Sequence, residues 1–253
     1  LNIDSNGFTI STNNIFSGAG GITKVGQGAL ILDGTQNYTG QTSVNEGILQ
    51  VDGTLISPVQ VLLGARLQGN GTVGSTVVQG VIAPGNSIGT LNINGNFVQL
   101  PTSYYEVEID PSGQSDLINV TGSATVAGSN VLVIKGPNVY TTGTRYTIVT
   151  ALGGVIGKYN GLFQNLPFID MSLTYDPQHV YLDLVRNAVS FASAALTLNQ
   201  FNTAVAAEYL GAGNPIYDAI SSLTDLGLAP QAFDSLSGEI HASNLAAFME
   251  ESR

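Results

Sequence analysis

The sequence of 253 residues contains no cysteine and no tryptophan. Without cysteine the chain has neither a disulfide framework nor a thiolate ligand for a metal ion. Seven lysine and arginine residues stand against eighteen aspartate and glutamate residues, which gives a net charge of −11. This balance disfavours binding to nucleic acid or to anionic lipid, because both need clustered cations. A simpler interpretation is that the acidic excess keeps a sparsely charged β surface soluble.

Long apolar runs are also missing. No stretch is long and apolar enough to span a bilayer as a helix. The first residues, Leu1 to Ser5, lack the basic start and the apolar run of a signal peptide. The last residues, Phe248 to Arg253, stop within a helical pattern, so we expect the chain to be a fragment of a larger protein. Hydrophobic residues still make up 43% of the chain, which excludes a fully disordered polypeptide.

Up to about Leu184 the pattern is one of short strands and tight turns. Runs with alternating apolar and polar residues are bounded by Gly, Asn or Asp, as in Asp33-Gly34 and Asp52-Gly53. Such dipeptides tolerate a positive φ and are typical of tight turns. Since side chains alternate across a strand, one face of each run is expected to be buried. The pairs predicted on these buried faces are Leu30 and Leu32, Leu49 and Val51, and Leu91 and Ile93.

Two all-β architectures fit many short strands: an antiparallel sandwich or barrel, and a solenoid of stacked parallel coils. The spacing favours the solenoid. A unit with Gly, alternating apolar residues and a closing Gly occurs at residues 26–34, 45–53 and 63–69. Its period of about 20 residues is typical of such coils. A single coil cannot bury its apolar face alone, so neighbours and a terminal cap are required.

The region from Leu100 to Leu184 has longer and more aromatic strands, which we interpret as the cap. Large side chains can fill the open end of a tube, and an uncovered terminal coil would be a template for edge pairing. The aromatic residues assigned to this cap are Tyr104, Tyr105, Tyr140, Tyr146, Phe163, Phe168, Tyr175 and Tyr181.

From Val189 the apolar period becomes helical. One amphipathic helix, ended by Gly211 and Gly213, is predicted to bury Phe191, Ala195, Leu198, Phe201, Val205 and Tyr209.

Three shorter helices are predicted after it. Asn214-Pro215 has the form of an N-cap followed by proline in the first turn. That second helix would carry Ile216, Ile220 and Leu223 and end near Gly227, and Pro230 would begin a third with Phe233 and Leu236. Ser237 would cap a last helix containing Ile240, Leu245 and Phe248. The small residues of these helices suit a helix threaded through a narrow space and equally a flexible linker.

Several short motifs resemble catalytic or ligand sites without their required context. Residues 85–89 match the nucleophile motif around Ser87, but a strand follows instead of the helix that the elbow needs. Residues 69–74 match the dinucleotide fingerprint, again without a following helix. Residues 110–116 carry alternating oxygen ligands without the late glutamate of a calcium loop. All three are better explained as turns.

The two histidines, His179 and His241, lie far apart in the sequence, and His179 is expected to be exposed beside a strand. Two isolated histidines do not make a zinc site. We therefore predict no catalytic, cofactor-binding or metal-binding residues, no cofactor, no nucleic-acid partner and no small-molecule substrate.

An ordered series of motifs covers nearly the whole chain and resembles the C-terminal passenger region of type V autotransporters of Gram-negative bacteria. Residues 20–53 resemble the passenger strand repeat. Similarity to the family's autochaperone region is found at residues 71–74, 82–91, 107–110, 115–122 and 143–151. Similarity to the segment that leads into the translocator is found at Arg186-Asn187, Asn199-Gln200 and residues 236–242.

The resemblance implies a right-handed parallel β-helix in three parts. Residues 1–99 would be passenger coils, residues 100–187 an autochaperone and capping region, and residues 188–253 a helical linker. The linker would lead to the protein's own outer-membrane β-barrel, whose strands are not in this sequence. The cap would emerge and fold first at the cell surface, opposing backward sliding through the pore. Core and cap aromatics and turn glycines would carry this role.

The resemblance also has limits. Some family members cleave themselves between paired asparagines in the linker, but Asn13-Asn14 is the only such pair and lies far from it. The leading hypothesis is a non-enzymatic folding module of a surface-exposed or secreted passenger, with the full protein an adhesin or host-interacting virulence factor. Alternatives are a receptor-binding effector whose β-helix surface is the ligand, the stalk of an autotransporter enzyme, and a polysaccharide-active β-helix.

Overall fold

The computed structural model describes residues 1–164 and 166–238 and contains two compact units. Unit 1 comprises Leu1–Gly136, Arg145–Gln164 and Leu173–Asp183. Unit 2 comprises the described residues of Pro137–Thr144, Asn165–Ser172 and Leu184–Arg253. Within the described residues, none of the helices has the length and apolarity needed to cross a membrane.

Short strands are the predominant regular secondary structure of the described residues. In order, they are β1 (Asn2–Asp4), β2 (Ile10–Thr12), β3 (Ser17–Gly18), β4 (Ile22–Val25), β5 (Ala29–Leu32), β6 (Thr35–Tyr38), β7 (Thr42–Val44), β8 (Gly47–Val51), β9 (Thr54–Leu55), β10 (Val59–Val61), β11 (Ala65–Gly69), β12 (Thr72–Val73), β13 (Thr76–Val78), β14 (Val81–Pro84), β15 (Thr90–Ile93), β16 (Phe97–Gln99), β17 (Tyr104–Ile109), β18 (Leu117–Val120), β19 (Ala124–Thr125), β20 (Asn130–Lys135), β21 (Arg145–Ala151), β22 (Val155–Ile156), β23 (Gly161–Phe163), β24 (Ile169–Tyr175) and β25 (His179–Arg186).

These strands form three sheets, and each coil contributes one strand to each sheet. Sheet 1 has the order β1-β4-β7-β10-β13-β16-β19-β22, and sheet 2 the order β2-β5-β8-β11-β14-β17-β20-β23. Sheet 3 has the order β24-β25-β21-β18-β15-β12-β9-β6-β3. Neighbouring strands three apart in the chain pair in parallel, as β5 does with β8 and β8 with β11. The fold is a right-handed parallel β-helix, as the resemblance implies, and not an antiparallel sandwich.

The pairing of successive coils confirms the repeat seen in the sequence. In sheet 2, Leu30 pairs with Leu49 and Leu49 with Leu67, so the early coils keep close to the expected period. Strand alternation turns these leucines inward, where each stacks on its equivalent in the next coil. The predicted buried faces are confirmed, since all six of their residues are at most 1% exposed: Leu30, Leu32, Leu49, Val51, Leu91 and Ile93.

Parallel stacking continues well beyond residue 99. Tyr105 pairs with Val131 and Val131 with Leu162, so these coils are longer than the early ones, without a change of strand direction. The lengthening begins before the expected boundary at residue 99, since Ile82 already pairs with Tyr105. The functional division of the chain into 1–99, 100–187 and 188–253 stays a prediction.

Three of the turn glycines serve close packing and not a positive φ. A Cβ atom on Gly53 would lie 2.2 Å from the carbonyl oxygen of Gly34, and one on Gly71 would lie 2.2 Å from that of Gly53. Gly34, Gly53 and Gly71 are absent from the residues with positive φ, whereas Gly95 has φ of 137°. The positive-φ interpretation was wrong for this corner, where successive coils approach too closely for any side chain.

Unit 2 contains the helices. They are a 3₁₀ turn at Phe191–Ala194, α1 (Leu198–Tyr209), α2 (Pro215–Ser221), a 3₁₀ turn at Leu226–Leu228 and α3 (Ala229–Ser237). The single amphipathic helix predicted from Val189 is wrong. Thr197 adopts an extended conformation and forms a capping box with Gln200, which starts a new helix. Phe201 and Tyr209, expected on the buried stripe, are 48% and 88% exposed.

The next two helices begin close to where the sequence indicated. The Asn214 side chain accepts a hydrogen bond from the Ile216 N–H, with Pro215 in the first turn, as predicted. However, α2 ends at Ser221, well before Gly227.

The predicted third helix corresponds to α3, which buries Phe233. Ser237 is the last residue of α3, and Gly238 follows in the left-handed conformation, with φ of 75°. The predicted last helix, with Ile240, Leu245 and Phe248, lies outside the described residues, as does His241.

Candidate functional site: the closing strands of the solenoid

The candidate site is the end of the solenoid at which sheet 3 changes direction. β21 still pairs in parallel with β18. Its other neighbour, β25, runs antiparallel to it, with Arg145 opposite Asp183 and Thr150 opposite His179. An antiparallel strand reverses the direction that every earlier coil follows. The stacking of sheet 3 is therefore closed by β25 and β24.

Two buried tyrosines connect the last coils. The Tyr105 hydroxyl lies 3.1 Å from the carbonyl oxygen of Asp116 and 2.9 Å from that of Ile148, to which it donates. Burial raises the pKa of Tyr105 well above its usual value. The Tyr146 hydroxyl donates to the Asp110 carbonyl at 2.8 Å. A buried hydroxyl is costly unless it is bonded, so these rings fix the positions of neighbouring coils while they fill the interior.

The prediction of aromatic cap residues is confirmed in part. Tyr105 and Tyr146 fill unit 1, and Tyr140 and Phe168 are buried in unit 2. Two others are not core residues: Tyr104 is 39% exposed and Phe163 is 47% exposed. Tyr104 occupies an outward position in the alternation of β17, and its neighbour Tyr105 takes the inward one. Tyr175 and Tyr181 are half-buried.

The acidic turn of residues 110–116 contains two carboxylates with different roles. Asp110 accepts hydrogen bonds from the backbone N–H groups of Ser112 and Gln114, which confirms the predicted turn. The Ser112 hydroxyl and these amides hold the pKa of Asp110 below its usual value. In the described part of the chain, no three His, Asp or Glu residues are grouped so as to hold a metal ion.

Asp116 is instead buried, which sequence reasoning missed. One of its oxygens accepts from the Gly89 N–H at 2.9 Å and the other from the Glu108 N–H at 2.8 Å. It thus ties the start of β15 to β17. Burial raises the pKa of Asp116 to about 7, although the two backbone amides act in the opposite direction. Its sequence context gave no sign of burial, because an Asp after Ser115 in a turn is usually solvated.

The β24–β25 turn is organised by Asp176. Its carboxylate accepts from the Tyr181 hydroxyl at 2.7 Å and from the Gln178 N–H at 2.8 Å, and it lies 2.8 Å from His179 Nδ1. These contacts, led by the Tyr181 hydroxyl, hold the pKa of Asp176 far below its usual value. His179, expected to be exposed, is half-buried here. The arrangement pairs a histidine with a carboxylate and orders the turn.

Ser87 lies in the turn between β14 and β15, where a strand follows it, as predicted. Residues 69–74 lie at the corner between β11 and β12 and likewise precede no helix. The turn interpretation of both motifs is confirmed.

In unit 2, Arg186 holds the start of the helical region. Its Nη1 donates to the Phe168 carbonyl at 3.0 Å and its Nη2 to Glu208 at 2.7 Å. The guanidinium lies over the Phe191 ring at 4.8 Å, and Phe191 packs edge-on against Phe168 at 5.0 Å. Planar stacking combined with several donors is a role that arginine fills and lysine does not. The sequence marked Arg186 only through the family resemblance.

Comparison with known proteins agrees with the fold. The family model of the passenger-associated-transport-repeat matches residues 22–51, which include β4, β5 and β8. Two proteins of Serratia marcescens, each named extracellular serine protease, are 32% and 28% identical over 96% of this chain. The chain spans only 28% of the length of each of these relatives.

A third relative is the adhesin BmaC autotransporter of Brucella suis biovar 1 (strain 1330). It is 37% identical over 64% of this chain and 5% of its own length. The repeat match, the parallel coils and relatives of an extracellular or autotransporter kind support an autotransporter passenger region, located at the cell surface or secreted.

Proposed function

We propose that this chain is a non-catalytic folding and capping module, in which residues 100–187 nucleate and close the β-helix of a passenger during its translocation. The observation that carries the proposal is the closure of sheet 3, where β25, antiparallel to β21, and its neighbour β24 end the parallel stacking of β3 to β21. The buried tyrosines of the same coils support it, because their hydroxyls bond to the backbone of neighbouring coils.

The energy for such a role comes from burial. Each coil that stacks on a folded neighbour buries apolar surface, at roughly 25 cal/mol per Å². A coil folded outside the membrane cannot return through a narrow pore without losing that energy. A cap that folds first offers its open strand edges to the preceding coil, and stacking then proceeds towards the N-terminus.

Residues 188–253 are proposed as the linker towards an outer-membrane β-barrel of the same protein. The helices described in this region are short, with α1 spanning 12 residues and α2 seven. Small residues such as Ala204 and Ala207 form the buried side of α1. These features suit a segment that passes from a folded passenger into a confined space.

The whole protein is proposed to be an adhesin or another host-interacting protein, as the Brucella adhesin relative suggests. A second candidate is the stalk of a secreted enzyme. The two Serratia relatives named as serine proteases favour it, because their similarity covers 96% of this chain. In that case the catalytic residues would belong to a part of the protein outside this chain, and the chain would again serve folding and display.

Pulse-labelling hydrogen exchange during refolding of the full chain tests the module. We expect the backbone amides of β17, β20 and β21 to be protected before those of β5 and β8. Simultaneous protection of both groups, or earlier protection of β5 and β8, would contradict nucleation by the cap. Amides of α1 in unit 2 serve as an internal reference for local helix formation, which is fast.

A further inference from the structure

The outer face of sheet 2 carries a polar groove that crosses three coils. Gln68 of β11 pairs with Ala83 of β14, and Ile82 pairs with Tyr105, so Ala83 lies between Gln68 and Glu106. A short alanine between two long side chains leaves a depression, and Pro84 extends its floor. The resulting cavity is about 120 Å³.

The side chains along this groove are held in fixed orientations. Arg66 reaches over β14 and forms an ion pair with Glu106, and its Nε donates to Gln68 at 2.9 Å. Gln68 in turn donates to Gln50 at 2.9 Å. All four groups are planar and half-buried, so part of each remains accessible to a ligand. A ligand that bonds to them has little side-chain entropy to remove.

Two exposed aromatic rings stand on the same face. The outward positions of β17 are Tyr104, Glu106 and Glu108, so one strand supplies both the ring and the carboxylates. The Tyr104 ring lies 6.1 Å from that of Phe163. Their exposure, unexpected for the large aromatics of a cap, leaves an apolar surface beside the planar polar groups.

The charges of the groove restrict its ligand. Among the described residues, three carboxylates line it, those of Glu106, Glu108 and Asp116, together with one cation, Arg66. A polyanion such as a sulfated glycan would be repelled, both here and by the net charge of −11. A purely apolar ligand would displace water from these polar groups and offer no hydrogen bonds in its place. Sugars without charge combine hydroxyl groups with apolar C–H faces, which match this mixture.

We propose that the groove formed by Arg66, Gln68, Glu106 and Glu108, with the Tyr104–Phe163 pair beside it, binds an uncharged oligosaccharide. This goes beyond the folding role, which requires no ligand. The groove would give the passenger coils a contact surface for glycans while the closing strands serve folding.

Saturation-transfer NMR on the full chain tests the binding. The probes are cellotetraose and chitotetraose, with a heparin tetrasaccharide as the charged comparison. Saturable transfer to at least one uncharged sugar and none to heparin is expected. The proposal is overturned if neither uncharged sugar receives saturation, or if heparin binds as well as they do.

Substitutions of groove residues test whether the ligand binds in the groove. Tyr104→Ala and Glu106→Gln are each expected to weaken binding about tenfold, which corresponds to roughly 1.4 kcal/mol. Phe8→Ala is the matched control, since Phe8 is 70% exposed in an early coil outside the groove and its loss should leave affinity unchanged. Far-UV circular dichroism melting confirms that each variant is folded. Unchanged affinity in Tyr104→Ala, a surface change, would overturn the assignment whether or not the cap nucleates folding.

Discussion

The early coils and the closing coils differ in the side chains that fill the interior of the solenoid. The early coils, in which Leu30, Leu49 and Leu67 pair in succession, are short, and these aliphatic residues fill the interior. The closing coils, in which Tyr105 pairs with Val131, are longer, and buried tyrosines fill them. The hydroxyl of each buried tyrosine must then find a partner, and the neighbouring coil supplies one.

Both regions also contain buried polar contacts between coils. In the early coils, Lys24 Nζ donates to the Glu46 carbonyl at 3.1 Å, and the corners are close, as where Gly53 lies against Gly34. Apolar burial alone tolerates alternative registers, whereas the bonds of Tyr105 and Asp116 fix one.

The largest expected effect comes from separating the two regions. We expect residues 54–253 to unfold cooperatively in urea, followed by far-UV circular dichroism, and residues 1–100 to remain unfolded. The physical reason is that the early coils lack a closed end on which to stack. If residues 1–100 fold while residues 54–253 do not, the capping proposal fails and the chain is an ordinary solenoid stalk.

A matched pair of core variants tests the comparison within the intact chain. Tyr105→Ala and Leu49→Ala each remove a fully buried side chain, and losses of about 3–5 and 2–5 kcal/mol of stability are expected. If the cap nucleates folding, Tyr105→Ala slows refolding, while Leu49→Ala mainly accelerates unfolding. Stopped-flow kinetics in urea measures both rates. The reverse pattern would locate the nucleus in the early coils.

Asp116 makes the closing coils sensitive to pH. Its folded-state pKa, raised to about 7 by burial, lies above the unfolded value of about 3.9, so the folded state binds a proton more tightly. The contribution of Asp116 to folding stability is therefore fully present below the unfolded pKa and is lost as the pH rises towards 7. Urea unfolding between pH 4 and 8 should show the decline, and Asp116→Asn should remove it.

Asp176→Asn is the control for this pH dependence. In the unchanged chain the pKa of Asp176 is depressed, chiefly by the Tyr181 hydroxyl. The contribution of Asp176 to stability is therefore present above its unfolded pKa and is lost as the pH falls. The slope of the unfolding free energy against pH, measured between pH 5 and 8, should thus be the same in Asp176→Asn as in the unchanged chain. An unchanged slope in Asp116→Asn would contradict the assignment.

The smallest effect is expected at the surface of the closing strands. Arg145 forms an ion pair with Asp183 at 2.7 Å, but its side chain is 56% exposed. Solvent and salt screen exposed pairs, so Arg145→Ala should lower stability far less than either core variant. Thermal unfolding at low and high salt measures the change. A loss of stability as large as that of Tyr105→Ala would mean that surface charge, and not the core, stabilises the closing strands.

Much of the fold could be read from local patterns. Alternation located β5, β8 and β15 and their buried faces, and the Asn214-Pro215 cap located the start of α2. The break before α1 was missed, because Phe191 and Phe201 keep a helical spacing although the capping box of Thr197 interrupts the helix. The outward Tyr104 was also misassigned, since composition does not say which side of a strand an aromatic residue occupies.

By itself, the sequence determined the coil. Period-two alternation and a repeat of about 20 residues leave stacked short strands as the arrangement that buries every apolar face.

The tertiary structure alone decided which residues of distant coils meet. Coil lengths are uneven, since the step from Leu67 to its partner Ile82 is much shorter than that from Val131 to Leu162. The resulting register brings Arg66 to Glu106 and buries Asp116 against two amides. Such contacts join residues far apart in the chain, and no local pattern encodes a distance that depends on the length of every intervening turn.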